Sequence, residues 1–199
     1  MIFGHEGALL MTKKLSEMTN EELWQLFPIE LCAHRASWAT QYAREEVRLL
    51  PILSHLHLAR ISHVGSTAVG SICAKPIVDI LVELEKDADT SAAETALIGA
   101  GYCAMSREPK RISFNRGYTE QGFADEVFHL HLRVAGDNDE LYFRDLLRER
   151  PDVAQLYEKL KKRLRKKYTH NRDAYTDGKT EFIRRYTDEA KGIYRGRYD

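Results

Sequence analysis

Cysteine is scarce in this chain, with three in 199 residues. Cys32, Cys73 and Cys103 form no CxxC pair. This odd, scattered set excludes a disulfide framework and a zinc ribbon and predicts reduced, mostly buried thiols. Net charge is also missing, since Lys plus Arg and Asp plus Glu each number 30. A neutral chain has no overall field to gather nucleic acid, so general nucleic-acid binding is not expected and any basic surface must be local. No apolar run nears the roughly 18 residues that span a bilayer, and the first residues lack a charged n-region before a long apolar stretch. The expected setting is the cytoplasm, with no membrane partner. Repeats and low-complexity segments are absent too. The length suits one domain, or one domain with a helical extension, and not two unrelated enzymes. Residues 1–10 differ in character from the rest of the chain, and Met11-Thr12-Lys13-Lys14 reads as an ordinary start. That decade is read as an alternative start or an added segment, without a function.

The residues that are present divide into a short helical arm, a β-rich middle and a helical tail. Leu15 to Leu26 predicts an amphipathic helix, because Thr19 can cap it and Glu21 and Glu22 lie in the first turn. Ile29, Leu31 and Ala33 alternate with polar neighbours, which suits either a short strand or more helix. Ser37 is a good N-cap for a helix carrying Trp38, Tyr42, Leu49 and Leu53 near a 3.6-residue period. The period then changes. Ile61 to Val64 reads as a strand, Gly65 to Lys75 as a turn region, and Pro76 to Leu84 as a second strand. In that strand Val78, Ile80, Val82 and Leu84 share an apolar face, and Asp79, Leu81 and Glu83 the other. A helix over Asp89 to Gly101 and strands at Tyr102–Met105, Arg111–Gly117 and Val127–Val134 complete the middle. After Gly136 the chain reads as helical to its end, broken at Pro151. Val153, Leu156, Leu160, Leu164 and Tyr168 are expected as one buried stripe, and Tyr175, Phe182, Tyr186 and Ala190 as another. The order gives a mixed α/β (α+β) fold.

The chemistry concentrates at His63-Val64-Gly65-Ser66-Thr67. A strand ending in Gly-Ser-Thr can turn backbone amides and two hydroxyls toward a phosphate. Asp79 lies on the next strand, away from the apolar face, where a carboxylate can hold Mg²⁺ beside that phosphate. A carboxylate inside an apolar strand is costly to bury unpaired, which favours a functional role for it.

The run from His63 to Val69, then Ala74-Lys75-Pro76-Ile77-Val78-Asp79-Ile80-Leu81-Val82, resembles the GrpB family. The likeness extends through Phe114 with Arg116-Gly117, His129-Leu130-His131-Leu132, Phe143-Arg144-Asp145, Tyr157 with Lys161, and Tyr175 with Lys179, Glu181 and Phe182. It covers the chain from about Ile29 onward. Gly70-Ser71 departs from a usual Pro-Gly, and the approach to Trp38 lacks a usual aromatic-Asp-Pro. The resemblance implies a nucleotidyltransferase-like mixed β-sheet flanked by helices. On this reading, residues 1–28 form an N-terminal extension and 29–199 one domain, with 136–199 as a helical tail packed on it. The family is mostly uncharacterised, and some members are fused to dephospho-CoA kinase, so the fold alone does not settle the activity.

The implied function is metal-dependent: a nucleoside triphosphate or other phosphorylated small molecule, with Mg²⁺ or Mn²⁺ and an unknown acceptor. A lapsed nucleotide-binding or folding-accessory module is the alternative, because the superfamily's second metal carboxylate falls at Leu81. Glu83, about 6–7 Å further along the strand, would replace it only partly. Gly65, Ser66, Thr67, Lys75, Arg116 and Lys179 are the candidate phosphate-binding residues. Asp79 and His131 are the candidate catalytic and metal-binding residues, with Glu83 and His129 as further ligands. His131 is expected in the inner position and His129 toward the mouth, near Arg111 and Arg116. Imidazole would shift metal preference toward Mn²⁺, Zn²⁺ or Fe²⁺. Arg111, Arg116 and Arg133 either line a groove for an anionic substrate or are solvated surface charges, and Arg172 is a candidate substrate contact. Lys159, Lys161, Lys162, Arg163, Arg165, Lys166 and Lys167 read as the solvated face of a helix, and Ser66 with His63 does not make a serine hydrolase.

Overall fold

The computed structural model describes residues 13–198, so the reading of residues 1–10 lies outside them. The arm is a 3-10 turn, Leu15–Glu17, then helix α1, Asn20–Leu26. Thr19 caps α1, accepting from the Glu22 amide while the Glu22 carboxylate accepts from the Thr19 amide. Neither the short strand nor the continued helix read for residues 29–33 forms. Only Cys32 pairs, exchanging two backbone hydrogen bonds with Ala74.

Helix α2, Ser37–Leu53, precedes strand β1, Leu58–Val64, and a 3-10 turn at Ser66–Ala68 leads toward strand β2, Val78–Leu84. Helix α3, Thr90–Gly99, is capped by the Asp89 carboxylate, which accepts from the Ser91 amide. Strands β3, Cys103–Glu108, β4, Arg111–Thr119, and β5, Gly122–Val134, complete one five-stranded sheet in the order β1-β2-β5-β4-β3. Only the β2–β5 pair is parallel, so the sheet is mixed. This is the expected mixed sheet with flanking helices and a helical tail.

Strand alternation sorts the two faces. Val78, Ile80, Val82, Phe114, Phe128, Leu130 and Leu132 point one way and pack with Trp38, Leu49, Leu53 and Leu97 into the main core beneath α2 and α3. The other face carries Asp79, Leu81, His129 and His131. It is covered in part by helices α4, Asp139–Glu149, α5, Pro151–Lys167, and α6, Arg172–Ile193. These helices build a second core with Val69 and Ile72. Pro151 starts α5 at a position where its missing amide costs nothing. The buried stripe of α5 is Val153, Ala154, Tyr157, Lys161 and Leu164, with Leu156 47% exposed. Of the expected stripe, Val153 and Leu164 are buried and Leu160 and Tyr168 pack partly buried against the tail cores, whereas Leu156 is displaced because the buried face runs through Ala154, Tyr157 and Lys161.

Candidate functional site

β1 ends beside the start of β2, with Val64 paired to Asp79, and β5 places His129 opposite Asp79 and His131 opposite Leu81. The turn at Gly65 bends the chain away from the sheet and across the carboxylate. Gly65 has φ +69°, and a Cβ there would stand 2.2 Å from Asp79 Oδ2. Only glycine allows this approach. His63 is stacked on Tyr42, and its Nε2 lies 3.0 Å from Thr67 Oγ1. Burial lowers the His63 pKa to about 4, so this ring is neutral and positions Thr67.

Two imidazoles face Asp79 among the described residues. His129 Nδ1 stands 3.4 Å from its Oδ1 and His131 Nε2 3.8 Å away. Burial opposes ionisation of Asp79, yet the two facing imidazoles outweigh it and hold the carboxyl well below its usual range. His129 is the inner histidine, with its side chain 16% exposed against 25% for His131. This reverses the expected order, because parallel pairing sets His129, and not His131, level with Asp79.

Two residues lock the His129 ring. Arg172, at the start of α6, donates to the Tyr118 hydroxyl. Tyr118 Oη lies 2.9 Å from His129 Nε2, with Arg172 Nη2 at 3.4 Å from the same atom. A guanidinium can only donate, so Nε2 is an acceptor and Nδ1 carries the proton toward Asp79. Burial lowers the His129 pKa to about 4, in keeping with a neutral ring. Tyr118 was not legible as a site residue. It reaches this face because the β4–β5 register shifts between Arg116 and Tyr118 at Gly117. Gly117 has φ +93°, and a Cβ there would meet the Glu126 carbonyl.

The tail contributes most of the positive charge. Lys161 Nζ donates to Ser66 Oγ at 2.9 Å and to the Cys73 carbonyl. Lys161 is 2% exposed, which corrects its assignment to a solvated face. The signal was available in its spacing, since 157, 161 and 164 share a helix face with buried Val153. Lys75, Lys179 and Arg172 line the same cleft of about 820 Å³. Burial, then Arg172 and Lys179, lowers the Lys75 pKa to about 7. Burial lowers Lys161 to about 8 and also lowers Lys179.

Other candidates lie elsewhere. Glu83 is fully buried, receiving Arg60 at 2.6 and 3.1 Å and Asn138 at 3.1 Å. It shares the face of Asp79, but α4 and Arg60 close over it, so it is no ligand. Arg116 is on the opposite face, against Phe128 and bound to Glu45, because it comes two residues after core-facing Phe114. Arg111 pairs with Asp137, and Arg133 with Glu140 and Asp137. None of these three lines the cleft.

The donor set is a poor match for a divalent metal. Both His129 nitrogens are engaged, Leu81 stands at the second carboxylate position, and Glu83 is closed off. Asp79 and His131 remain, and His131 Nδ1 is buried without a partner. Among the described residues no three His, Cys, Asp or Glu side chains are grouped to hold an ion. Nor is any helix there long and apolar enough to cross a membrane.

The family model for the GrpB protein matches residues 28–189. The UPF0157 protein of Deinococcus radiodurans is 36% identical over 156 residues, covering 77% of each chain. UPF0157 protein YqkA of Bacillus subtilis is 29% identical over 181 residues, covering 88% of this chain and about half, 52%, of that relative. The crystal structure of conserved protein GrpB from Enterococcus faecalis superposes with a TM-score of 0.70 at 27% identity, covering 83% of this chain and 99% of that one. By sequence along most of its length and by fold, the chain belongs to the GrpB family.

Proposed function

We propose that the cleft at the Gly65–Thr67 turn binds an oligophosphate-bearing small molecule, with a nucleoside triphosphate as the leading ligand. The observation that carries this reading is Lys161, whose buried ammonium sits 2.9 Å from Ser66 Oγ and draws a tail helix onto the turn. Lys75, Lys179 and Arg172 line the same cleft, whose volume suits a nucleotide. Gly65 and Ser66 supply backbone at the phosphates, Thr67 is held by His63, and Lys161 and Arg172 supply charge-assisted donors.

Metal-dependent transfer is the second reading, favoured by the accessible Asp79 carboxylate beside His131. It would require Asp79 and His131 to hold Mg²⁺ or Mn²⁺ and an acceptor to enter the cleft. With Leu81 at the second carboxylate position, binding without transfer is the function this geometry supports best. A thermal-shift screen of nucleotides, coenzyme A precursors and inorganic oligophosphates tests it. A ligand at a hundred times its dissociation constant adds about 2.7 kcal/mol of stability and a clear rise in Tm. A flat response to every phosphorylated compound would refute the reading.

A further inference from the structure

Four cations in the cleft are each held by an aromatic face instead of a carboxylate. Lys75 Nζ lies 5.8 Å and Lys179 Nζ 4.7 Å from the centre of the same Tyr175 ring. Lys161 Nζ lies 4.9 Å from the Tyr157 ring and Arg172 Cζ 5.2 Å from the Tyr118 ring. Among the described residues none of the four has an acidic partner within ion-pair distance. Arg144, at the same cleft, shows the contrast: it is neutralised by Asp145. A ring face orients a cation without cancelling its charge, whereas a carboxylate does both.

Asp139, Glu140, Asp173, Asp177 and Asp188 also line the cleft, but Asp79 is the carboxylate that acts on Lys75 and Lys179, and the donor set around it does not suit a metal. We infer that the cleft binds a triphosphate group without a divalent metal, its lysines and Arg172 supplying the positive charge that bound metal ions would otherwise bring. This rests on the oligophosphate reading above and specifies its chemistry. A bridging Mg²⁺ would add charge where four cations already repel one another, and would neutralise the ligand before it arrived. Asp79 and His131 alone give such an ion few protein anchors. A triphosphate is favoured over a single phosphate because only an extended polyanion spans donors presented from the β1 turn, α5 and α6.

Calorimetric titration of the full chain with inorganic tripolyphosphate, in EDTA and then in excess Mg²⁺, decides the matter. Binding in EDTA is expected to be several-fold tighter than in Mg²⁺, and Lys161→Met should weaken it tenfold or more. Lys179→Met should act in the same direction and serves as the check if the first variant folds poorly. Lys162→Met, at an exposed position paired with Glu158, should leave affinity unchanged. Binding that appears only with Mg²⁺ would overturn the inference while leaving the oligophosphate reading intact. Affinity unaltered by both lysine substitutions would overturn the inference too. Absence of binding in either buffer would remove the oligophosphate reading itself.

Discussion

The sheet has a set of cations on each face, and the two sets are handled in opposite ways. Beneath α2, Arg48 and Arg116 converge on buried Glu45, which also receives the Tyr102 hydroxyl at 2.6 Å. On the other face, Lys75, Lys161, Lys179 and Arg172 surround Asp79 with rings and backbone for company. The first arrangement is closed, since both guanidiniums bond the Glu45 carboxylate, although Arg116 Nε is buried without a partner. The second is open, since among the described residues none of the four cations has a carboxylate at ion-pair distance, although Asp139, Glu140, Asp173, Asp177 and Asp188 also line the cleft. Uncompensated charge held rigidly in a cleft is the mark of a binding site, and a matched cluster is the mark of a structural one.

Breaking the closed cluster should cost most. Glu45→Ala leaves two guanidiniums and a phenol without their acceptor, and about 3–5 kcal/mol of stability should be lost in urea unfolding. Oligophosphate affinity of the folded fraction should be unchanged. Next is Gly65→Ala, which strains a backbone conformation open mainly to glycine by about 1–3 kcal/mol and pushes against Asp79. Its expected signature is loss of ligand-induced thermal shift with the fold retained by circular dichroism. A smaller effect of opposite sign sharpens the contrast. Lys179→Met removes a half-buried, unpaired charge and should raise stability of the free protein by about 1 kcal/mol while weakening ligand binding. A loss of stability equal to that of Glu45→Ala would show that the two clusters are alike.

The smallest expected effect is on pH dependence. Lys75 is lowered to about 7 and Lys161 to about 8, against an ordinary lysine value of about 10.4. Asp79 on β2, Lys161 on α5, and Arg172 and Lys179 on α6 are the charged groups acting on Lys75. Below its folded pKa, Lys75 is charged in both folded and unfolded chains. Between about 7 and 10.4 the unfolded chain binds more protons, so its contribution to stability rises with pH. Ligand affinity runs the other way. In metal-free buffer, nucleoside triphosphate binding should weaken several-fold as pH rises from 7 to about 9, a range beyond the phosphate's own last ionisation near 6. Lys75→Met should flatten that profile, as titration calorimetry can read.

Local rules made the β1–β2 corner legible. A strand, a glycine turn and an acid on the next strand are close in sequence, and two-residue alternation assigned Asp79 and His129 to one face correctly. Alternation says nothing of what covers a face, so Glu83 was placed near chemistry when Arg60 and Asn138 enclose it. It also fails across a bulge. Arg116 kept the strand parity onto the core side, whereas Tyr118, two residues later, escaped it through Gly117. Lys161 was obscured by its neighbours, six other basic residues in the same helix, and only its phase relative to Val153 and Leu164 distinguished it. Helical contributions from 95 residues away, the separation of Lys161 from Ser66, are not local and had no comparable rule.

The spread of the site along the chain bears on when it can exist during synthesis. Asp79, Ser66 and the histidines emerge well before α5 and α6, which bring three of the four cations. Until those last helices dock, the corner has its carboxylate and its glycine turn but little to attract a polyanion. Long-range contacts of this kind form late in folding, because their loops must close first. A chain whose tail has not docked therefore has an incomplete cleft, and on the proposed reading ligand capture would mark the arrival of the tail.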